Sequence, residues 1–103
     1  MTKTKYSYRI CNVNTNECFT LNNVEFNIIL NGGVFEDCPD ESNMPDYDEH
    51  DETILGVFSA HNLPIIAHRL KYLIKTTNIK DEQILNFLKW IEHKKFPILI
   101  YEE

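Results

Sequence analysis

Apolar side chains recur every second residue at the start of the chain. In residues 5–13, Tyr6, Tyr8 and Ile10 alternate with Ser7 and Arg9, and period two puts alternate side chains on one face of a half-buried strand. Asn14, Thr15 and Asn16 come next. Asparagine tolerates positive φ and bonds its own backbone, so these residues predict a turn. Residues 17–21 return as a second short strand and complete a hairpin.

Residues 22–33 fit two patterns. Asn22 followed by Glu25 has the spacing of a capping box, and Gly32-Gly33 can end a helix in the left-handed conformation. Such a helix turns Val24, Phe26, Ile28 and Ile29 inward. As a strand, Val24, Phe26, Ile28 and Leu30 alternate with Glu25 and Asn27, and the paired Asn and Gly residues become hairpin turns. The capping signals favour the helix.

The second half of the chain reads more simply. Residues 53–60 (TILGVFSA) are rich in β-formers and predict a buried strand. Asn62 is placed to cap a helix with Pro64 in its first turn, where a missing N–H leaves no bond unmade. In that helix Leu63, Ile66, Ala67, Leu70 and Ile74 form one apolar stripe, with Arg69, Lys71 and Lys75 turned away. Thr76, Thr77 and Asn78 end it. A second amphipathic helix covers roughly residues 79–93. Asp81 and Glu82 at its start and His93, Lys94 and Lys95 at its end match the macrodipole. Its expected apolar face is Ile84, Leu85, Leu88 and Ile91, flanked by Phe87 and Trp90. Residues 96–101 (FPILIY) close the chain as a strand, and Pro97 predicts an edge position or a strand beginning.

The order ββα, loop, βααβ predicts an α+β fold. A small antiparallel or mixed sheet packs against a single layer of two or three amphipathic helices. The 103 residues suffice for one domain, 1–103, with one core. A hydrophobic content of 43% excludes global disorder. No apolar run approaches the roughly 20 residues of a membrane span, and residues 1–10 lack the apolar core of a secretory signal, so a cytoplasmic location is expected. Cys11, Cys18 and Cys38 are an odd set without CxxC spacing and read as reduced thiols. One pairing is geometrically open, because the turn sets Cys11 opposite Cys18.

Charge changes the picture in one place. Residues 36–52 read EDCPDESNMPDYDEHDE, with nine acidic residues and no Lys or Arg. The whole chain has sixteen acidic and ten basic residues. Outside the segment seven acids therefore face ten bases, and the formal −6 is an acidic segment in a mildly basic body. Pro39, Pro45, Ser42 and Asn43 predict a long loop, of a length that usually carries function or is disordered.

The familiar chemistries find little to work with. Asp46 and Asp48 resemble the start of an EF-hand, but Asp51 stands where glycine is required and Val57 where the closing glutamate belongs. Cys38, His50, His61 and His68 lack zinc-ligand spacing. No metal or cofactor is expected. Cys38 sits among carboxylates, which oppose a thiolate. Ser59 and His61 have no nucleophile elbow or oxyanion loop beside them. No catalytic residue is assigned. Gly32-Gly33 is not a phosphate loop, and the scattered lysines beside so acidic a segment disfavour direct nucleic-acid binding.

The acidic segment itself remains. As a solvated linker it would be neutralised in part by Lys71, Lys75, Lys94 and Lys95 of the same molecule. As a binding surface it would use Glu36, Asp37, Asp40, Glu41, Asp46, Tyr47, Asp48, Glu49, Asp51 and Glu52, with Tyr47 as an aromatic anchor. The expected partner is a basic protein, foremost a nuclease toxin whose cationic cleft the segment plugs. The chain is similar to the immunity proteins of bacterial toxin systems in general character: small, acidic and without a catalytic motif. It matches no family motif residue by residue. Two alternatives stand beside this expectation. One is a nucleic-acid mimic of the anti-restriction or anti-CRISPR kind. The other is a structural or regulatory subunit that binds through its helical face. The sequence leaves the oligomeric state open.

Overall fold

A computed structural model describes residues 7–36, 38 and 44–103. The chain forms β1 (Ser7–Asn12), β2 (Cys18–Asn22), α1 (Asn23–Asn31), β3 (Ile54–Phe58), a short 3-10 turn (Ala60–Asn62), α2 (Leu63–Thr77), α3 (Glu82–Ile91) and β4 (Ile98–Glu102). The four strands make one sheet in the order β2-β1-β4-β3, antiparallel at every pairing. The expected α+β architecture is the one observed.

The hairpin follows its turn chemistry. Asn16 takes φ 63°, Asn12 Oδ1 accepts from the Asn14 N–H at 2.9 Å, and Cys11 faces Cys18 in the register. Here the reading of three reduced thiols is corrected for two of them, because Cys11 and Cys18 form a disulfide and Cys38 does not join one. The register places the two Cα atoms 4.0 Å apart, close enough for the sulfurs to bond. Such cross-links persist in oxidising compartments, so the cysteines no longer argue for a cytosolic location. Closing a loop with a sequence separation of 7 is worth about 2–3 kcal/mol in the chain-entropy model. Cys11→Ser with Cys18→Ser is expected to lose about 2 kcal/mol in denaturant unfolding. A reductant should lower the wild-type midpoint to the variant's and leave the variant unmoved.

Residues 23–31 resolve as helix because Asn22 serves twice, as the last residue of β2 and as the N-cap of α1. Its Oδ1 accepts from the Glu25 N–H at 2.8 Å, and Glu25 Oε1 accepts from the Asn22 N–H at 3.0 Å. Gly33 supplies the left-handed step after the helix, at φ 76°. The inward face is narrower than expected. Phe26 and Ile29 are buried, whereas Val24 (66% exposed) and Ile28 (39% exposed) face outward.

Glu25 meets Asp81, the N-cap of α3. Burial first, opposed by the Asn22 bond and reinforced by the Asp81 charge, raises the Glu25 carboxyl above its ordinary value. A carboxyl raised on folding stabilises the fold while protonated, and that stability is lost as pH rises through the raised value. Glu25→Gln keeps an oxygen for the Asn22 N–H and removes the titration. Its stability is expected to exceed wild type above that window and to stay level through it, as unfolding midpoints across the acid limb would show.

Pro97 takes the second of its two expected readings, a strand beginning, and one other strand position differs from expectation. β4 lies inside the sheet between β1 and β3, not at an edge. Pro97 precedes the strand, where it needs no ladder donor, and its C=O accepts from the Val13 N–H at 3.0 Å. β3 is the edge instead, half-buried, with a bulge between Ile54 and Gly56. The opposite edge, β2, is closed in part by Gln83, whose Nε2 donates to the Thr20 carbonyl at 2.9 Å.

One sheet face supplies Tyr8, Ile10, Leu21, Ile98 and Ile100 to a core completed by Phe26, Ile29, Leu63, Ile66, Leu70, Ile84, Phe87 and Ile91 from the helices. The stripe of α2 is as expected except that Ile74 is only half-buried. Asn62 is buried and makes no side-chain cap; its Nδ2 donates to Ser59 Oγ at 3.4 Å. α3 is centred differently from expectation, with Ile84, Phe87 and Ile91 buried and Leu88 only half-buried. Phe87 belongs to the middle of the face because Phe19 and Trp90 surround it, with ring centroids 5.4 and 6.1 Å away. On the other sheet face Arg9 pairs with Glu103 and lies over the Tyr101 ring. Among the described residues no helix is long and apolar enough to cross a membrane.

Candidate partner-binding surface

The acidic segment leaves the core at Val34, fully buried, and Phe35, half-buried. Arg69 of α2 holds its first turn: the guanidinium Nη1 donates to the Glu36 carbonyl and lies 4.0 Å from Cys38 Sγ. The sequence turns Arg69 away from the apolar stripe of α2 without giving it a partner, and the structure makes it the clamp on this root. The second root is the sheet, where the Glu102 N–H donates to the Thr53 carbonyl at 2.8 Å.

Between these roots residues 48–53 follow side-chain-directed turns. Asp48 Oδ1 accepts from the His50 N–H at 2.9 Å, and Asp51 Oδ1 accepts from the Thr53 N–H at 2.9 Å. Aspartate promotes this geometry because its short carboxylate reaches the N–H two residues ahead. The Thr53 hydroxyl and then the Thr53 N–H hold the Asp51 carboxyl below its ordinary range. What Asp51 contributes is present above the ordinary aspartate range and is lost as pH falls through the lowered value.

Asp46, Asp48, Glu49 and Glu52 are exposed, as is Tyr47 at 42%. Glu36 is exposed at the first root and Asp51 is half-buried at the second. Of the remaining expected residues, Asp37, Asp40 and Glu41 lie outside the described residues. Among the described residues no ion pair involves Asp46, Asp48, Glu49, Asp51 or Glu52. The expected internal neutralisation is not seen there: Lys71 turns to Glu92 at 3.5 Å. Lys71, Lys94 and Lys95 instead line a groove with Pro64, Ala67 and His68 between α2 and the turn after α3.

Sequence reading missed a second feature of this region, an apolar cleft of about 260 Å³ between α1 and the β3 edge. Phe26, Phe35, Phe58 and Ile100 form its floor, and Leu30 (42% exposed) and Leu55 (50% exposed) its rim. Two features of the sequence are consistent with it, though neither locates it. Gly56 interrupts a run of β-formers, and α1 carries more apolar residues than one buried face needs.

Among the described residues no three His, Cys, Asp or Glu side chains converge as metal ligands. Ser59 is buried in the turn before α2, and His61 is exposed. No family model, curated protein or solved structure matches the chain.

Proposed function

We propose that this chain is a small bacterial inhibitor that binds a basic protein, foremost a nuclease toxin, by seating residues 36–52 in its cationic cleft. One observation carries the reading. The exposed carboxylates of Asp46, Asp48, Glu49 and Glu52 have no cationic partner among the described residues, on a segment tied down at both roots. Carboxylates of this kind substitute for nucleic-acid phosphates against the partner's Lys and Arg side chains. Complementary fields speed the encounter, and Tyr47 supplies an aromatic contact that slows release.

We place the encounter in the cytoplasm, where a nuclease toxin meets its substrate. The hairpin disulfide would favour an oxidising compartment, and thiol trapping after cell fractionation decides between the two. The test of function is affinity capture from the native host at low salt, wild type beside a variant with neutralised segment carboxylates. A basic partner retained by wild type alone, with nuclease activity lost in the complex, supports the reading. A partner retained equally by both moves the interface elsewhere and defeats it.

A further inference from the structure

The apolar cleft adjoins both ends of the acidic segment along the chain. Phe35 on the cleft floor immediately precedes Glu36, and Leu55 on the rim comes three residues after Glu52. Both roots of the anionic segment thus flank one apolar opening. We propose that the cleft is the specificity pocket of this surface and receives one large apolar side chain, of leucine or phenylalanine size, from a Lys/Arg-rich segment of the partner protein. This rests on the proposed function above and names the chemistry its partner must present.

Three features of the cleft support that occupant. Its volume, about 260 Å³, lies below the roughly 300–1,000 Å³ of small-molecule sites and is enough to admit one large side chain. Its floor is aromatic: Phe35 lies 5.5 Å from Phe58 and 6.0 Å from Phe26 between ring centroids. Gly56 lines the cleft without a side chain, and a Cβ there would stand 2.9 Å from Phe58 Cε2 on the floor.

The β3 edge favours side-chain insertion over strand addition. The bulge between Ile54 and Gly56 breaks the row of backbone groups that an added strand would need. The flanking charge selects the company of the inserted side chain. A segment whose apolar residue enters here runs beside Glu36 and Glu52, so lysine and arginine on either side are matched by carboxylates. Electrostatics of this kind governs the encounter, and an apolar anchor in a desolvated pocket governs residence.

The test uses the full chain and two synthetic peptides rich in lysine and arginine, identical except for a single central leucine or alanine. Binding is read by fluorescence polarisation at low salt. Wild type is expected to hold the leucine peptide about tenfold more tightly, the effect of burying most of one aliphatic side chain. The rim variant Leu30→Gln/Leu55→Gln should bring that ratio close to one. The charge variant Glu36→Gln/Asp46→Asn/Asp48→Asn/Glu49→Gln/Glu52→Gln should weaken both peptides and keep the ratio. A ratio near one on wild type, or one undiminished in the rim variant, overturns the cleft assignment. A charge variant that binds both peptides as wild type does overturns the underlying reading instead. Methyl NMR on wild type needs no variant to fold: Leu30, Leu55 and Ile100 signals should shift with the leucine peptide and not with the alanine peptide. The same shifts with both peptides, or none with either, count against the cleft.

Discussion

Phe87→Ala is expected to destabilise the protein by about 3–5 kcal/mol, the range for removing a buried aromatic ring from a core. Phe87 is fully buried and stands among aromatic rings on several sides. Phe19 of β2 touches it, and Trp90 touches both at 6.1 Å from Phe87 and 5.8 Å from Phe19. Trp90 also packs edge-on against Phe96 at 5.2 Å and donates its indole N–H to Glu17 at 3.1 Å. The rings bind the hairpin, α3 and the approach to β4 into one unit, so no single neighbour can move in to fill the gap. In a domain whose total stability is about 5–15 kcal/mol, the variant is marginal at best. Leu88→Ala, at a half-buried position one residue along the helix, should lose roughly half as much or less. Chemical denaturation checks both, with the midpoint falling and its slope unchanged. A loss under about 1 kcal/mol at Phe87 would mean that α3 is turned differently from the face described.

The difference between those two leucine and phenylalanine positions shows where sequence reading loses resolution. Ile84 and Ile91 are seven apart and belong to the buried face under any assignment, but Leu88 and Phe87 compete for its centre at 3.6 residues per turn. The decision comes from Phe19, which lies sixty-eight residues earlier in the chain and which no local pattern connects to α3. Pro97 is a similar case. Its missing donor is as harmless just before an inner strand as at an edge, so β4 reads alike in both places. The composition of β3 suggests more burial than the strand has, because β-branched and aromatic residues mark a strand without saying which side is open.

Local chemistry, by contrast, was legible. Asn22 with Glu25 decided for helix through two reciprocal hydrogen bonds that need no tertiary partner. Asn78 ends α2 at φ 56°, as its position after two threonines suggested. For the candidate surface, composition marked the acidic segment, since charge is read directly from residue types. Its anchorage was hidden, because the clamp at Arg69 joins residues thirty-three apart. The cleft was hidden for the same reason: its walls come from α1, β3 and β4.

Neutralising the segment should produce the largest change in binding. Asp46→Asn, Asp48→Asn, Glu49→Gln, Asp51→Asn and Glu52→Gln together remove five charges, and four of these residues are exposed. Folding is expected to change little, since exposed positions outside special features usually contribute within about 0.5 kcal/mol. The exception is Asp51, whose bonds to Thr53 hold the carboxyl below its usual range. Asparagine retains an oxygen for the Thr53 N–H, so the turn survives with a weaker acceptor. Association with the captured partner should slow by tenfold or more at low salt, within the roughly 10–1,000-fold range of electrostatic steering. Wild-type and variant rates should converge as salt rises and the Debye length falls to about 3 Å near 1 M. Stopped-flow association against ionic strength tests this. If the rates converge only at high salt, the segment steers the encounter through its field. Equal rates at low salt would place recognition outside the acidic segment, and the exposed carboxylates would then be no more than a solvated loop. A variant slowed equally at every salt concentration would point to lost contacts in place of lost charge.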